Sequence, residues 1–210
     1  MAGMLGVLMS RGGVFGGRAS NMGNNGMTYA KVLTPPNQAP NKTLRNNLLP
    51  RKIEICVWRA LKKRLPVWIE LDKRGIDLHS VRCPICDNDL ESVDHTLFNC
   101  SFAIDIWNRV FKWWNFSNFS PSNGPDSLHG KSSHVMSSLG SKIWQAVAWV
   151  TLYYLWKNRN LKAFQHKGWC APVLLNELQV KSFEWISSRI KGKNLEWTNW
   201  LTNPHMYLVC

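Results

Sequence analysis

The chain has 210 residues, enough for one domain of ordinary size or for a domain and a small module. An apolar content of 45% supports a folded core and argues against disorder along the whole chain. The 26 basic and 13 acidic residues give a formal net charge of +13, which favours nucleic acid as a partner before an anionic membrane; an inert basic surface is the alternative.

Residues 1–49 are predicted to form a disordered leader. Eight of the 14 glycines lie before residue 27, and the following stretch is rich in Asn and Pro without apolar periodicity. The leader is basic and acid-free, but its glycines and few serines argue against a mitochondrial presequence. Its apolar run "MLGVLM" is too short for a secretory signal. We therefore expect a nuclear or cytoplasmic protein in a reducing compartment, where cysteines remain thiols.

Two helices are predicted between residues 50 and 75. In the first, opened by Pro50 and closed by Pro66, apolar side chains recur at i+4 and basic side chains face away. The second begins on Pro66 and stops at Gly75. The basic residues of this region are candidate phosphate contacts, although a solvated helix face would give the same run. These candidates are Arg51, Lys52, Arg59, Lys62, Lys63 and Arg64.

The stretch "CPICDNDLESVDHTLFNC", residues 83–100, concentrates three of the six cysteines and one of the six histidines. Three thiolates and one imidazole complete the tetrahedral shell that Zn²⁺ prefers in a structural site. Four protein ligands leave no position open for a catalytic water. We therefore predict one structural Zn²⁺. The predicted ligands are Cys83, Cys86, His95 and Cys100.

Two alternatives to this zinc site remain open from the residues alone. The cysteines could be buried free thiols beside a hydrogen-bonded histidine, or His79 could replace His95 as the fourth ligand. Ser92 is predicted to cap a short helix that carries His95. Asp94 is a candidate acceptor for the second ring nitrogen of that histidine.

Three further helical segments are predicted towards the C-terminus. Ser101 is a suitable N-cap for an amphipathic helix that reaches Trp114. Residues 143–156 are apolar nearly all round but shorter than the roughly 18–20 residues of a spanning helix, which predicts a buried central helix. The cations of "KNRNLK", 157–162, are expected near its C-terminal end. The last predicted helix runs from residue 172 to about residue 191, and residues 195–210 are predicted to be irregular.

The predicted fold class is therefore mainly α, with a small CCHC zinc module embedded among helices. The expected organisation is a disordered leader (1–49), the zinc module (50–115), a flexible linker (116–140) and a tryptophan-rich helical region (141–210). The linker prediction depends on a polar, Ser-rich composition without apolar periodicity.

The segments "VWRALKKRLPVWIELDKRGI" and "CPICDNDLESVDHTLFNCSFAIDIW" together resemble the reverse-transcriptase zinc-binding domain. That domain lies near the C-terminus of plant non-LTR (LINE-type) retrotransposon polyproteins. Residues 155–160 also resemble the segment that follows it there. The resemblance implies zinc binding and a role in binding RNA or target DNA. The residues that match the family pattern are Trp58-Arg59-Ala60, Leu65-Pro66, Cys83, Cys86, Glu91, His95, Cys100 and Trp107.

The polymerase of such polyproteins needs paired aspartates for two Mg²⁺ ions, and this sequence has no adjacent Asp-Asp. We therefore expect a solo C-terminal remnant without catalytic residues, and not an enzyme. Its expected partner is RNA or DNA, with no membrane. One alternative is a protein-interaction module that uses an exposed aromatic surface of helix 143–156. The other is a functionless translated fragment whose zinc is only structural.

Overall fold

A computed structural model describes residues 45–116 and 137–209. Within these ranges the chain forms seven α-helices, one π-helical turn and no strand, so the predicted mainly α class is confirmed. An isolated antiparallel bridge pairs Arg82 with Leu90. The helices are α1 (Arg51–Leu61), α2 (Trp68–Asp72), α3 (Ser101–Trp113), α4 (Ser138–Gln165), α5 (Ala171–Ser187), α6 (Trp197–Thr202) and α7 (Met206–Val209), and the π-helical turn is His95–Asn99.

The packed structure begins before Pro50, inside the segment predicted as a leader. Residues 1–44 of that segment lie outside the described residues. Leu48 and Leu49 are buried in the core. Asn46 is also buried, and its side-chain amide donates to the Lys142 carbonyl at 3.0 Å. These contacts tie the start of α1 to α4, so the predicted boundary at residue 49 is too late by at least three residues.

Helix α1 ends at Leu61, well before the proline that was predicted to close it. Lys63 adopts a left-handed φ of 52°, and the Arg64 amide donates to the Arg59 carbonyl at 2.7 Å. Leu65, which follows this turn, is buried in the core. Helix α2 is correspondingly short, and Gly75 follows it with φ 79°, a conformation that glycine adopts without strain.

Helix α3 begins one residue earlier than predicted. Cys100 has extended backbone angles and occupies the N-cap position, so Ser101 is the first helical residue and the N-cap prediction for it was wrong. The reason is that the π-helical turn ends at Asn99, so Cys100 is the single residue between the two helical segments and caps both of them.

Helix α4 is twice the predicted length and forms the centre of the fold. Residues 143–156 are its buried middle, as predicted, and Ser137 caps it by accepting a hydrogen bond from the Gly140 amide at 2.9 Å. The linker prediction is therefore wrong for 137–140, and 117–136 lie outside the described residues. Segment 157–162 lies inside the helix, which ends at left-handed His166. Of its cations, Lys162 lies in the last turn, where the helix dipole favours a positive charge as expected, whereas Lys157 and Arg159 lie further from the end.

The C-terminal residues that were predicted to be irregular form α6 and α7. Helix α5 ends at Ser187, about four residues earlier than predicted. Trp200 of α6 is fully buried, and its indole nitrogen donates to the Gln179 carbonyl at 3.2 Å. The Trp113 indole nitrogen donates in turn to the Trp200 carbonyl at 2.8 Å. Tertiary contacts of this kind stabilise helices that are too short to form alone.

One continuous core joins the zinc module to the C-terminal helices, from Leu48 to Leu208. Trp144, Trp149 and Tyr154 of α4 are buried in it, so the aromatic surface that was expected on helix 143–156 is largely internal. Across residues 45–116 and 137–209, no helix has the length and apolarity required to cross a bilayer.

Candidate metal centre

Four donor atoms from Cys83, Cys86, His95 and Cys100 lie within 4.8 Å of one another. Cys83 and Cys86 lie in the turn between Arg82 and Leu90, the two residues of the antiparallel bridge. His95 is the first residue of the π-helical turn, and Cys100 follows its last residue. Cys83, His95 and Cys100 are buried, and Cys86 is half-buried. The structure thus brings together all four predicted ligands. His79 is exposed and does not belong to the cluster.

Backbone hydrogen bonds shape the turn that carries the first two cysteines. The Cys83 amide donates to the Asp89 carbonyl at 2.8 Å, and the Asp87 amide donates to the Cys83 carbonyl at 2.9 Å. Asp87 has a left-handed φ of 56°, which aspartate tolerates better than most residues. The loop therefore closes on itself and directs both thiols to the same side as His95.

The π-helical turn sets the spacing between His95 and Cys100. Residues five apart lie about 140° apart around an α-helix, too far to share a small ligand. Here the Cys100 amide donates to the His95 carbonyl at 2.7 Å, the i→i+5 bond of a π-turn, which widens the helix locally. The Ser92 hydroxyl accepts from the His95 amide at 3.0 Å, so the predicted cap at Ser92 is confirmed.

The two ring nitrogens of His95 have different neighbours. Nε2 lies 3.3 Å from the Cys86 sulfur, inside the cluster, whereas Nδ1 faces Asp89, with an oxygen at 3.7 Å. Asp94, the predicted acceptor, instead forms an ion pair with Lys63 at 3.1 Å. The prediction for Asp94 was wrong because its side chain points from the loop to the end of α1.

The close approach of the thiols and the imidazole shifts their pKa values. A hydrogen bond to Cys100, with burial, raises the pKa of Cys83 to about 12. The same hydrogen bond lowers the pKa of Cys100. The pKa of His95 is raised to about 9, first because of its hydrogen bond to Cys83. Cys83, His95 and Cys100 therefore share hydrogen-bonded protons, which a bound dication would displace.

The cluster fits a zinc ion in donor chemistry and in size. With Zn–S near 2.3 Å and Zn–N near 2.0 Å, the donors of a tetrahedral site are roughly 3.5–3.8 Å apart. The separations here lie below 4.8 Å, with the sulfur of Cys86 and Nε2 of His95 at 3.3 Å. Small side-chain rotations would therefore suffice to close the shell.

A fully buried ion pair joins the loop between Cys86 and His95 to α4 at the centre of the fold. Both nitrogens of the Arg159 fork donate to the Glu91 carboxylate at 2.5 Å, and neither side chain is exposed. Glu91 also accepts from the Trp68 amide at 2.6 Å. The guanidinium lies over the rings of Trp68 and Trp156, at 4.3 and 5.0 Å from their centroids. The sequence singled out both segments as family-like, but it gave no sign that they pair.

All six predicted phosphate contacts are exposed. Four have partners within the protein. Arg51 pairs with Glu54, Lys63 pairs with Asp94, and Arg64 lies over the Trp58 ring. Lys52 lies over the Trp185 and Tyr153 rings. Arg59 and Lys62 have no ion pair within the part of the chain that the structure describes. The role of this surface stays a prediction.

Comparison with known protein families finds a match over part of the chain. Residues 27–107 match the family model described as zinc-binding in reverse transcriptase. The family is a zinc-binding domain and not the catalytic polymerase domain. We found no match among curated proteins or among solved structures. The match contains all four clustered residues and ends at Trp107, so this segment of the chain is similar to the reverse-transcriptase zinc-binding family.

Proposed function

We propose that Cys83, Cys86, His95 and Cys100 bind one structural Zn²⁺, and that the module ordered by this ion binds RNA or DNA. The observation that carries the proposal is the convergence of three thiols and one imidazole within 4.8 Å, in a segment of zinc-binding type. Bound zinc would cross-link the turn of residues 83–86 to the π-helical turn. The ancestry that we propose is the C-terminal region of a plant LINE-type reverse transcriptase.

The residues around the cluster support a structural role. Nε2 of His95 would face the ion, and Nδ1 would face the Asp89 carboxylate, which can fix the ring tautomer. The Asp94–Lys63 ion pair connects the metal-binding loop to the C-terminal end of α1. Ordering of the loop would therefore help to position the basic residues at that end.

Metal content tests the first half of the proposal. Purified protein should contain about one zinc per chain, and Cys86→Ser or Cys100→Ser should abolish it because an open shell binds zinc far more weakly. Cys170→Ser is the matched control, since this exposed cysteine lies outside the cluster. Wild-type protein without metal, but with unchanged helicity and thermal stability, would contradict the site assignment.

Salt dependence of binding tests the second half. Each phosphate contact contributes roughly 0.7–0.9 to the slope of log K against log salt. The substitution of Lys62, Lys63 and Arg64 by Ala should lower that slope by about 2 to 3 while zinc stays bound. The control is the substitution of Arg189, Lys191 and Lys193 by Ala, which removes the same charge from the segment between α5 and α6. An unchanged slope in the first variant would make the basic helix a solvated surface.

A further inference from the structure

The exposed side of α1 contains two apolar side chains among its cations. Ile55 is 49% exposed and Trp58 is 39% exposed. The buried side of the same helix is formed by other residues, Ile53, Cys56, Val57 and Ala60. Ile55 and Trp58 are therefore not core residues that are incompletely covered. They project from the opposite side, towards solvent.

Helical spacing places these two side chains between basic residues. Arg51, Ile55, Trp58 and Lys62 are separated by four, three and four positions, which aligns them along one line of the helix. Arg59 lies beside Ile55, at i+4. The line is about 16 Å long at 1.5 Å per residue. We call these five residues, Arg51, Ile55, Trp58, Arg59 and Lys62, the α1 stripe.

The charge of the α1 stripe selects its partner. It contains three cations and no carboxylate, and the one acidic residue of α1, Glu54, is buried. Arg51 pairs with Glu54, but a purely apolar protein partner would leave Arg59 and Lys62 without counter-charges. An anionic partner with flat apolar faces matches both kinds of side chain, and nucleic acid has this chemistry.

We propose that the α1 stripe binds single-stranded nucleic acid, with a base stacked on Trp58 beside Ile55 and with phosphates at Arg51, Arg59 and Lys62. This inference rests on the proposed function. A duplex offers the edges of its bases to a protein and keeps their faces stacked, so an indole gains little from it. A single strand exposes base faces, and every base can stack on an aromatic ring. Arg64 lies over one face of the Trp58 ring, 5.6 Å from its centroid, so the base would stack on the other face of the indole.

The test separates the contribution of base stacking to the affinity from the contribution of the phosphates. Fluorescence anisotropy measures binding of the zinc-loaded full chain to labelled DNA and RNA strands, to the same DNA as a duplex, and to an abasic DNA strand of equal length and charge. Base-bearing single strands should bind tightest. Trp58→Ala should weaken their binding about 5- to 140-fold, the range measured for one stacked base. Binding of the abasic strand should change less than about twofold.

Trp197→Ala is the matched control, because Trp197 is 38% exposed on α6 and lies outside the stripe. It should leave all affinities unchanged. Trp58→Phe should restore most of the affinity that Trp58→Ala loses. Helicity and zinc content verify that each variant is folded, and if Trp58→Ala is not, the wild-type comparison of base-bearing with abasic strands decides.

The outcomes distinguish this inference from the proposed function. Equal affinity of the wild type for base-bearing and abasic strands, or tighter binding to the duplex, overturns the stacking inference and leaves a phosphate-binding surface. An unaffected Trp58→Ala variant that is folded also overturns it. No salt-dependent binding to any strand overturns the proposed function itself, and a protein partner then becomes the better occupant of the stripe.

Discussion

The buried ion pair between Arg159 and Glu91 offers the sharpest test of how this fold is held together. Arg159→Met removes the charge and both hydrogen bonds but keeps an unbranched side chain among the aromatic rings that now surround the guanidinium. The Glu91 carboxylate then remains fully buried with the Trp68 amide at 2.6 Å as its nearest donor. An uncompensated charge in this position is the physical cause of the expected loss of stability.

The expected loss is about 3–5 kcal/mol in the free energy of unfolding, the range for removal of one partner of a buried pair. For a chain of this size, that loss corresponds to a decrease in Tm of roughly 6–20 °C. Asp105→Asn is the control, because its i,i+4 pair with Arg109 is partly exposed, with side-chain exposures of 46% and 41%. Removal of such a pair should cost about 0.3–0.5 kcal/mol.

Urea unfolding of the zinc-loaded protein, followed by circular dichroism, measures both values. A double-mutant cycle with Glu91→Gln separates the pair from the packing of each side chain. Glu91→Gln combined with Arg159→Met should be much less destabilising than the sum of the single changes. In the double variant neither side chain is charged, so no buried charge is left without a partner. A loss below about 1 kcal/mol for Arg159→Met, or strict additivity, would refute the reasoning.

Two other predictions concern the packing of α7 against α4 and the effect of the metal. A Cβ added at Gly140 would overlap the Leu208 carbonyl group and come within 2.6 Å of its Cα, so Gly140→Ala should cost about 1–3 kcal/mol. Gly168→Ala, where the nearest atom would be 3.5 Å away, should change the Tm little; equal Tm values for the two variants would contradict the packing of α7 on α4. Zinc chelation should raise amide hydrogen exchange in residues 83–100 and in α3 more than in the middle of α4, whose partners are other helices. Unchanged protection of 83–100 would mean that the ion does not order this loop.

Much of the candidate site follows from local sequence. The C-x₂-C pair and the histidine and cysteine that follow it predict the four clustered residues, because short separations limit how far apart their side chains can lie. The cap at Ser92 can be predicted for the same reason, because its hydroxyl accepts from the amide of His95, only three residues further along the chain. The apolar periodicity of α1 and α3 predicts their buried faces, although the turn at Lys63 and the π-turn before Cys100 move their ends.

The tertiary structure decided what depends on distant parts of the chain. Glu91 and Arg159 are 68 positions apart, and both lie in segments whose patterns gave no reason to join them. Residues 197–209 have little helical periodicity of their own, and they become α6 and α7 because Trp200, Tyr207 and Leu208 enter a core built by α3, α4 and α5. Asp89 rather than Asp94 faces His95 because α1 brings Lys63 to Asp94. Local spacing therefore determined which side chains could meet within a loop. The packing of α4 against the zinc module determined which charges are buried, because burial depends on every element that covers a residue.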